Sequence, residues 1–321
     1  MAETDFIFES MSRQQSKLSV SVYGPSGSGK TVAILKLMKG IQEQLYPNER
    51  LEDIGLFIDT ERRSSTKAVG RTIGGEMVAP AQLYVFEPPF DIIKLAKLID
   101  FAVSKGKKII AVDSYTAFWS GMDGILDRAA ELDSSGMAKK TYGAWSEKEI
   151  IAKKNILKNL MTNTEAHIIM GFRAKTEYVM EPNQYGKMTP KAVGLKEDMQ
   201  ADVRFEFDTV ISLDKDTHGA TVVKDRIGYL EIRAVSGNPD GPITIEDGKV
   251  LAKLASEGYT LEEVARMKTE TYINYVLGEK AAHSSLVSNF EKAKGTELTR
   301  EVLQGYSYEQ LTKLVKYLNQ K

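Results

Sequence analysis

Residues 24–31 have the sequence GPSGSGKT, which matches the pattern G-x-x-x-x-G-K-[ST] at every position. Its glycines allow successive backbone N–H groups to curl around an anion at a helix N-terminus. In this pattern the lysine, Lys30, reaches the outer phosphates of a nucleoside triphosphate, and the hydroxyl of Thr31 ligates Mg²⁺. The loop predicted to cradle the phosphates consists of Gly24, Pro25, Ser26, Gly27, Ser28, Gly29, Lys30 and Thr31. A nucleoside triphosphate with Mg²⁺ is therefore the expected ligand.

Three acidic residues follow apolar runs that are typical of buried strands. Asp59 and Glu61 end the run "IGLFIDTE", and Asp113 ends "KKIIAVDS". Asp113 suits the carboxylate that positions Mg²⁺ through its water shell. Because the next residue is Ser114 and not an acid, the carboxylate that activates the attacking water must come from another strand. Glu61 is predicted for this role, the alternative being an ordinary surface carboxylate.

The segments that must position these residues alternate between strand and helix. A strand that starts at Ser19 leads into the glycine loop, and helical spacing follows from Lys30 to about Leu45. This alternation continues through "AQLYVFEPP" and "FDIIKLAKLIDFAVSKG", and it predicts an α/β fold with a mostly parallel central sheet covered by helices. Ligands of such sheets bind at the carboxyl ends of the strands, where Lys30, Glu61 and Asp113 are expected to lie.

The second half of this region is less regular. A helix is predicted from about Trp145 to Met161, followed by the strand "AHIIMGFR", and residues 174–206 then show little periodicity. "EFDTVISLD" and "GATVVKDR" alternate like an antiparallel pair joined by the turn "DKDTHG". The stretch "GYLEIRAVSGNPDGPITIEDGK" is predicted to close the core as short strands and turns.

From about Val250 the sequence pattern becomes helical. This change predicts a core of residues 1–249 and a small helical region of residues 250–321. "TLEE" at Thr260 and "SYEQ" at Ser307 fit capping boxes, in which a hydroxyl and a longer side chain cap each other's backbone N–H. One apolar stripe of the last predicted helix contains Leu311, Leu314, Val315 and Leu318.

Composition excludes several kinds of site. The chain of 321 residues has no cysteine, which excludes disulfides, thiol catalysis and cysteine-ligated metals. Its three histidines, His167, His218 and His283, are widely spaced and are predicted to be structural or surface residues. Lysine and arginine total 43 against 44 acidic residues, so nucleic-acid binding would need a local patch. A polar, acidic N-terminal segment and the lack of a long apolar run predict a cytoplasmic protein without a membrane partner.

The order of "GPSGSGKT", "LFIDTE" and "IIAVDS" resembles the ATPase core of RecA-type recombinases, in which an aspartate-x-glutamate strand end supplies the catalytic glutamate. The later segments "GFRAKTEYV", "FEFDTVISLD" and "TVVKDR" resemble RecA-related ATPases encoded by bacteriophages, including single-strand annealing recombinases. The resemblance covers about Leu18 to Arg226 and does not extend to the helical C-terminal region. It implies a RecA-like P-loop core, ATP as the nucleoside triphosphate, ATP hydrolysis and action on single-stranded DNA in phage recombination or replication. The guanine motif N-K-x-D does not occur, which disfavours a GTPase.

The resemblance also assigns a role to Lys224 and Arg226 of "KDR". Their i, i+2 spacing on a strand places both side chains on one face. The resemblance implies that the pair reaches the γ-phosphate of a neighbouring subunit, so that the active site is shared in a head-to-tail ring or filament. The alternative is a solvated charge pair beside a turn. Arg173, at the end of a core strand, is predicted either to sense the nucleotide or to form a structural salt bridge.

Two stretches, residues 117–143 and 174–202, correspond in the resemblance to loops that line the DNA axis. Both mix aromatic residues with lysines, which suits base stacking and phosphate contacts on a single strand. The candidates are Trp119, Lys139, Lys140, Tyr142, Trp145, Lys175, Tyr178, Tyr185, Lys187 and Lys191. The alternative is that the tryptophans belong to the core and the lysines to a solvated face.

Other functions stay open at this point. One is a nucleotide-gated oligomeric binding or scaffold protein with little turnover, which predicts weak stimulation of hydrolysis by DNA. A hexameric helicase-like motor is the second, and RNA could replace DNA as the partner. A small-molecule kinase is the third, but it would leave "FIDTE" and "KDR" unexplained.

Overall fold

The computed structural model describes residues 14–135, 143–160, 164–182, 188–235, 240–258, 261–281 and 285–318. These residues divide into two compact units, Lys17–Ala255 and a C-terminal unit that starts at Ser256. The predicted boundary at residue 249 falls inside a helix, Ile245–Ser256. No helix in the described ranges combines the length and the apolarity that crossing a membrane requires.

The first unit consists of a sheet with helices on both sides. Its strands are β1 (Ser19–Gly24), β2 (Gly55–Asp59), β3 (Thr72–Ile73), β4 (Glu76–Met77), β5 (Gln82–Val85), β6 (Ile109–Asp113), β7 (His167–Pro182), β8 (Met188–Glu197), β9 (Thr209–Leu213) and β10 (Ala220–Asp225). Its helices are α1 (Lys30–Leu45), α2 (Leu51–Ile54), α3 (Ile92–Ser104), α4 (Ala117–Ser120), α5 (Ile125–Ser134), α6 (Lys148–Asn159), α7 (Tyr229–Val235) and α8 (Ile245–Ser256).

Within the described residues, one eight-stranded sheet has the order β10-β9-β1-β7-β6-β2-β5, with β8 paired to the far part of β7. The pairs from β9 to β5 are parallel, whereas β10 runs antiparallel to β9 and β8 antiparallel to β7. This arrangement confirms the predicted P-loop α/β core, with a mostly parallel sheet and antiparallel strands at the end of the core.

Apolar side chains bury both faces of the sheet. Alternate residues of β6 enter different cores: Ile109 and Ala111 pack with α1 and α8, and Ile110 and Val112 pack with α3, α5 and α6. A parallel strand covered on both faces has no polar side, which explains why β2 and β6 are almost entirely apolar up to their terminal aspartates.

The described parts of residues 174–206, a stretch with little periodicity in the sequence, form regular structure. β7 continues past Arg173 and pairs with β8 in an antiparallel hairpin, and a 3₁₀ helix follows at Ala201–Glu206. The hairpin carries charged side chains such as Glu177 and Lys196, whose ion pair spans 3.3 Å. Since this part of β7 lies beyond the cores, it lacks the apolar alternation that would have indicated a strand.

The prediction of short strands from residue 228 is wrong, because Tyr229–Val235 is the helix α7. The alternation of "YLEIR" is misleading because Leu230 and Ile232 are exposed, and Tyr229 and Arg233, one turn apart, are buried. The guanidinium Nη1 of Arg233 donates to the Tyr229 hydroxyl at 3.0 Å and to Asp247 Oδ1 at 2.5 Å. This network fastens α7 to α8.

The second unit contains the helices α9 (Leu261–Ala281), α10 (Ser285–Lys294), α11 (Arg300–Gln304) and α12 (Tyr308–Leu318). The stripe predicted on the last helix is buried in one apolar cluster with residues of α9 and α10. The capping box at Ser307 is confirmed, because its N–H donates to Gln310 Oε1 at 2.7 Å and its Oγ accepts from Gln310 N at 3.2 Å. Thr260, the other predicted cap, lies outside the described residues.

Helices α1 and α8 cross at a point where only glycine fits. A Cβ atom on Gly40 would lie 2.1 Å from the Ile245 carbonyl oxygen. We expect Gly40→Ala to lower the free energy of unfolding by about 1–3 kcal/mol, because the helices must separate. Chemical denaturation followed by tryptophan fluorescence measures this change, since Trp119 and Trp145 both lie in the first unit.

Gly278→Ala is the matched control, since nothing lies within 4 Å of the added Cβ on this residue of α9. Alanine should stabilise that helix by about 1 kcal/mol, measured by circular dichroism. An unchanged or higher unfolding midpoint for Gly40→Ala would contradict the close helix crossing.

Candidate functional site

The glycine loop connects β1 to α1 at the carboxyl edge of the sheet. Gly27 and Gly29 have φ angles of 83° and 86°, left-handed values that glycine adopts without steric cost. A Cβ on Gly24 would lie 2.5 Å from Ser28 Oγ, so this position also requires glycine. Gly29 is the N-cap of α1, whose first N–H groups have no partner within the helix. The loop therefore has the shape and the donors of an anion cradle.

Lys30 and Thr31 begin α1 and point to different partners. Lys30 Nζ donates to the carbonyl oxygens of Gly24 at 2.9 Å and Pro25 at 2.8 Å, so the ammonium lies against the loop. Burial lowers the pKa of Lys30, and the charge of Asp113 partly opposes this shift. Thr31 Oγ1 donates to Asp113 Oδ2 at 2.6 Å, which ties the helix to the end of β6.

Asp113 is buried to 3% exposure but is only partly hydrogen-bonded. Its Oδ1 has no hydrogen-bond partner among the described residues. Gly171 on β7 leaves this oxygen room, since a Cβ there would lie 2.7 Å from it. Burial raises the pKa of Asp113 to about 6, although the hydrogen bond from Thr31 lowers it. The site therefore holds a carboxylate whose negative charge is poorly compensated.

These donors fit a magnesium ion. Mg²⁺ prefers oxygen ligands and keeps several waters, usually binding through one or two protein groups together with phosphates. The hydroxyl of Thr31 and the carboxylate of Asp113 are such groups, and the unpartnered Oδ1 gains a partner from a cation or its water. The described residues contain no cluster of three or more histidine or acidic side chains that could hold a metal by itself.

Glu61 is held in place by Asp59, for which no role was predicted from the sequence. Asp59 at the end of β2 is buried, and its Oδ1 accepts the Glu61 N–H at 2.6 Å. Its Oδ2 accepts from the N–H and the hydroxyl of Ser65, at 3.1 and 2.5 Å. Aspartates commonly bond to backbone N–H groups two residues on, and this was the available signal for such a turn.

Glu61 also forms an ion pair across the site. Arg173 donates to Glu61 Oε1 from Nε at 3.2 Å and from Nη2 at 3.0 Å. Arg173 lies next to Gly24 in the register of β1 and β7, so the pair sits above the loop. Of the two roles predicted for Arg173, the structure shows the salt bridge, and its partner is the candidate catalytic residue.

An open cavity of about 930 Å³ joins these parts. It is lined by Ser26, Gly27, Gly29, Lys30, Thr31, Val32, Thr60, Glu61, Arg62, Arg173 and Ala174. Lys30, Arg62 and Arg173 give the cavity a cationic wall suited to a polyphosphate. Arg62 was not singled out in the sequence, and its φ of 55° shows that the chain turns sharply at this point.

Lys224 and Arg226 are not among the residues that line the cavity. Lys224 Nζ donates to the carbonyl oxygens of Arg204 at 3.1 Å, Phe205 at 2.8 Å and Phe207 at 2.5 Å. Arg226 Nη2 donates to the Phe205 carbonyl at 2.5 Å. Lys224 lies on β10, whereas Arg226 follows the last residue of this strand, Asp225, so the predicted placement of both on one strand applies to Lys224 alone. Both side chains bind the segment around the 3₁₀ helix Ala201–Glu206.

The candidate residues for nucleic-acid contact differ in their surroundings. Trp119 is a core residue that packs against Trp145, with ring centroids 6.0 Å apart, which confirms the core alternative for Trp119. Lys175 is exposed and pairs with Asp198 at 2.8 Å. Outside the described residues lie Lys139, Lys140, Tyr142, Tyr185 and Lys187, and the side chains of Tyr178 and Lys191.

His167 is structural, as predicted. It is buried, its Nδ1 accepts the Leu18 N–H at 3.1 Å, and its Nε2 lies 3.1 Å from the Tyr46 hydroxyl. Burial lowers its pKa to about 4. His283 lies outside the described residues, and His218 lies at the edge of the glycine loop.

Comparison with known families adds one finding. A family model described as an AAA domain matches residues 16–234, more than half of the chain. The match spans β1 to β10 and ends within α7, so it contains every residue of the cavity. No curated protein matches the chain.

Because the charge of Asp113 is poorly compensated, we expect a neutral side chain at this position to make the folded protein more stable. Because its folded pKa lies above the ordinary value of about 3.9, the wild type loses stability as the pH rises from about 4 through 6. We expect Asp113→Asn to raise the free energy of unfolding at pH 8 by up to about 3 kcal/mol. This gain should disappear near pH 4, in denaturation series without nucleotide or divalent metal.

Asp59→Asn is the control, because its carboxylate accepts three hydrogen bonds and its loss should destabilise the fold at pH 8. A less stable Asp113→Asn protein at pH 8 would show that the charge of Asp113 is compensated.

Proposed function

This chain belongs to the AAA-domain family of P-loop ATPases, and we propose that it is a RecA-like, Mg²⁺-dependent ATPase. We further propose that it assembles head to tail and acts on single-stranded DNA in phage recombination or replication. One observation carries the proposal: a single cavity brings the phosphate loop together with Glu61, and Asp113 lies directly behind Thr31. Binding, metal support and water activation thereby meet at one sheet edge.

The roles follow from the geometry. The loop N–H groups and Lys30 hold the phosphates, and Thr31 and Asp113 hold Mg²⁺. The metal neutralises charge on the phosphate oxygens when it is bound. Glu61 orients the water that attacks the γ-phosphorus and accepts its proton, while the bond from this phosphorus to the ADP oxygen breaks.

Arg173 must release Glu61 before this chemistry can occur. In the structure its guanidinium donates two hydrogen bonds to Glu61 Oε1, which would otherwise accept a proton from water. A phosphate oxygen competes for the same guanidinium, because charge-assisted bonds to phosphate are strong. We assign Arg173 to the recognition of the outer phosphate, which releases Glu61 for catalysis.

The RecA-like assignment is supported by the placement of the two acids. Asp59 and Asp113 are direct neighbours in the register of β2 and β6, and Glu61 follows Asp59 by two residues. The catalytic glutamate therefore comes from the strand beside the metal-binding strand. This placement is the one that the "LFIDTE" and "IIAVDS" resemblance implies.

For the shared active site, Arg226 is the stronger candidate of the two cations. It is exposed and makes one bond to a carbonyl, whereas Lys224 is half-buried and makes three. We propose that Arg226 reaches a neighbour's γ-phosphate and that Lys224 anchors the strand that presents it. Such a contact is heterologous, and the rotation between subunits decides between a ring and a filament.

The hairpin of β7 and β8 is the proposed nucleic-acid surface. β7 runs without a break from Arg173 at the cavity into the hairpin, where Lys175 and Lys196 provide cations. Lysine ion pairs at a solvated surface are weak, so phosphates can replace their carboxylate partners. Single-stranded DNA would thus contact the hairpin part of β7, the strand that also borders the nucleotide cavity at Arg173.

Hydrolysis is tested with Lys30→Ala, Glu61→Gln and the wild type, each with and without single-stranded DNA. We expect DNA to stimulate the wild type and Glu61→Gln to lose about 10²- to 10⁴-fold in rate, because a positioned base contributes that much. Glu61→Gln should still bind ATP, whereas Lys30→Ala should bind it weakly. Phosphate release and equilibrium binding measure these effects.

Glu87→Gln, at an exposed glutamate, is the matched control and should keep wild-type turnover. If the wild type turns over slowly and ignores DNA, the nucleotide-gated scaffold becomes the better assignment.

A mixing experiment tests the shared site. Glu61→Gln keeps Arg226 and Arg226→Ala keeps Glu61, so an equal mixture forms complete sites at about a quarter of its heterologous interfaces. We expect about that fraction of wild-type activity, although neither variant alone hydrolyses ATP well. Light scattering with a nonhydrolysable analogue should show assembly.

The control is the double variant Glu61→Gln with Arg226→Ala, mixed with Arg226→Ala. This mixture contains no intact Arg226 and should stay inactive. Full activity of Arg226→Ala alone, or a wild type that stays monomeric with the analogue, would exclude the intersubunit role.

A further inference from the structure

The order of the strands indicates which way a nucleoside triphosphate would point when its phosphates bind the glycine loop. Asp113 and Glu61 follow β6 and β2, which lie on one side of β1, and β9 lies on its other side. A triphosphate in the loop that follows β1 has its γ-phosphate beside Glu61. The nucleoside at its opposite end is therefore directed toward the turn between β9 and β10, residues 214–219.

This turn lies against the glycine loop at two points. A Cβ on Gly24 would lie 2.7 Å from the Leu213 carbonyl oxygen at the end of β9. A Cβ on Gly29 would lie 3.4 Å from Nδ1 and 3.9 Å from Cγ of His218. The imidazole thus lies beside Gly29, the residue that caps α1, at the edge of the phosphate cradle.

Hydrogen bonds within the turn fix the backbone on both sides of His218. Asp214 Oδ1 accepts the N–H groups of Asp216 at 3.0 Å and Thr217 at 2.9 Å. Thr217 Oγ1 in turn accepts the Gly219 N–H at 3.1 Å. His218 has a φ of 56°, a conformation that histidine tolerates better than most residues.

The imidazole nitrogens nevertheless have no hydrogen-bond partner among the described residues. His218 is exposed and makes no hydrogen bond or ion pair to the described part of the chain. A turn with four internal bonds therefore presents an exposed aromatic ring beside the glycine loop.

We propose that His218 forms the nucleoside end of the site, with its imidazole stacked on the base of the bound nucleoside triphosphate. The inference rests on the proposed nucleotide-binding function and adds a base-binding element to it. Every nucleobase has a π face, so stacking on a ring is tolerant of base identity. The site should accordingly accept both purine triphosphates.

Calorimetric binding of two ligands separates base from phosphate recognition. The ligands are a nonhydrolysable ATP analogue and inorganic tripolyphosphate, each with Mg²⁺. We expect His218→Asn to weaken the analogue about tenfold, since one stacked base contributes that order of affinity. Tripolyphosphate binding should stay within about twofold of the wild type, because it lacks the base.

The variants are chosen to keep the turn intact. Asparagine and glycine both tolerate a positive φ, so His218→Gly serves as the second variant if His218→Asn unfolds. Lys215→Ala, on the same turn, is the matched control and should leave both affinities unchanged. Equal unfolding midpoints without ligand would show that the fold is preserved.

Two results would overturn the inference while leaving the proposed function intact. Unchanged affinity of His218→Asn for the ATP analogue would show that the ring does not contact the nucleotide. Equal weakening of the analogue and of tripolyphosphate would show that His218 acts on the loop and not on the base. Failure of the wild type to bind either ligand would instead overturn the nucleotide site itself, and the base subsite with it.

Discussion

The hydrogen bond from Thr31 to Asp113 joins the two elements on which the site depends, the first turn of α1 and the end of β6. It is the only hydrogen bond that the described residues donate to a carboxylate that is almost fully buried, although the charge of Lys30 also favours the ionised form. Its neighbour in the sheet, Asp59, is equally buried but accepts three hydrogen bonds. Buried polar atoms are normally satisfied, so an incompletely satisfied carboxylate beside a satisfied one marks Asp113 as the ligand-binding member of the pair.

β7 links the nucleotide cavity to the surface that is proposed to contact DNA. Gly171 on this strand leaves room for Asp113, Arg173 pairs with Glu61, and Lys175 is already in the hairpin. The base of the hairpin is fixed at the same place, because the Asp198 N–H donates to the Arg173 carbonyl at 2.7 Å. A movement of the Arg173 backbone would therefore be passed to the hairpin, which shares this hydrogen bond.

The sequence allowed the phosphate loop, the order of the buried strands and the positions of Glu61 and Asp113 to be predicted, because these follow from local spacing and continuous apolar runs. It did not indicate the β7–β8 hairpin, whose charged residues obscure the period of two. The helix α7 was misread for the converse reason, since its exposed Leu230 and Ile232 imitate a strand. The role of Asp59 depends on a local turn, for which an aspartate two residues before Glu61 was the available signal. The placement of His218 beside Gly29 joins distant parts of the chain, so spacing carries no signal for it.

The bonds of Lys224 and Arg226 suggest how assembly could be coupled to catalysis. Lys224 donates to three carbonyls and burial lowers its pKa, so moving it to a phosphate would break three hydrogen bonds. Arg226 would exchange a single neutral acceptor, the Phe205 carbonyl, for a charged one, which strengthens the bond. Lys224 would still hold the segment that carries Phe205, whose side chain is 63% exposed. A neighbouring subunit that offers a nucleotide to Arg226 thereby also meets an apolar side chain that it can cover, so phosphate recognition and subunit contact would reinforce each other.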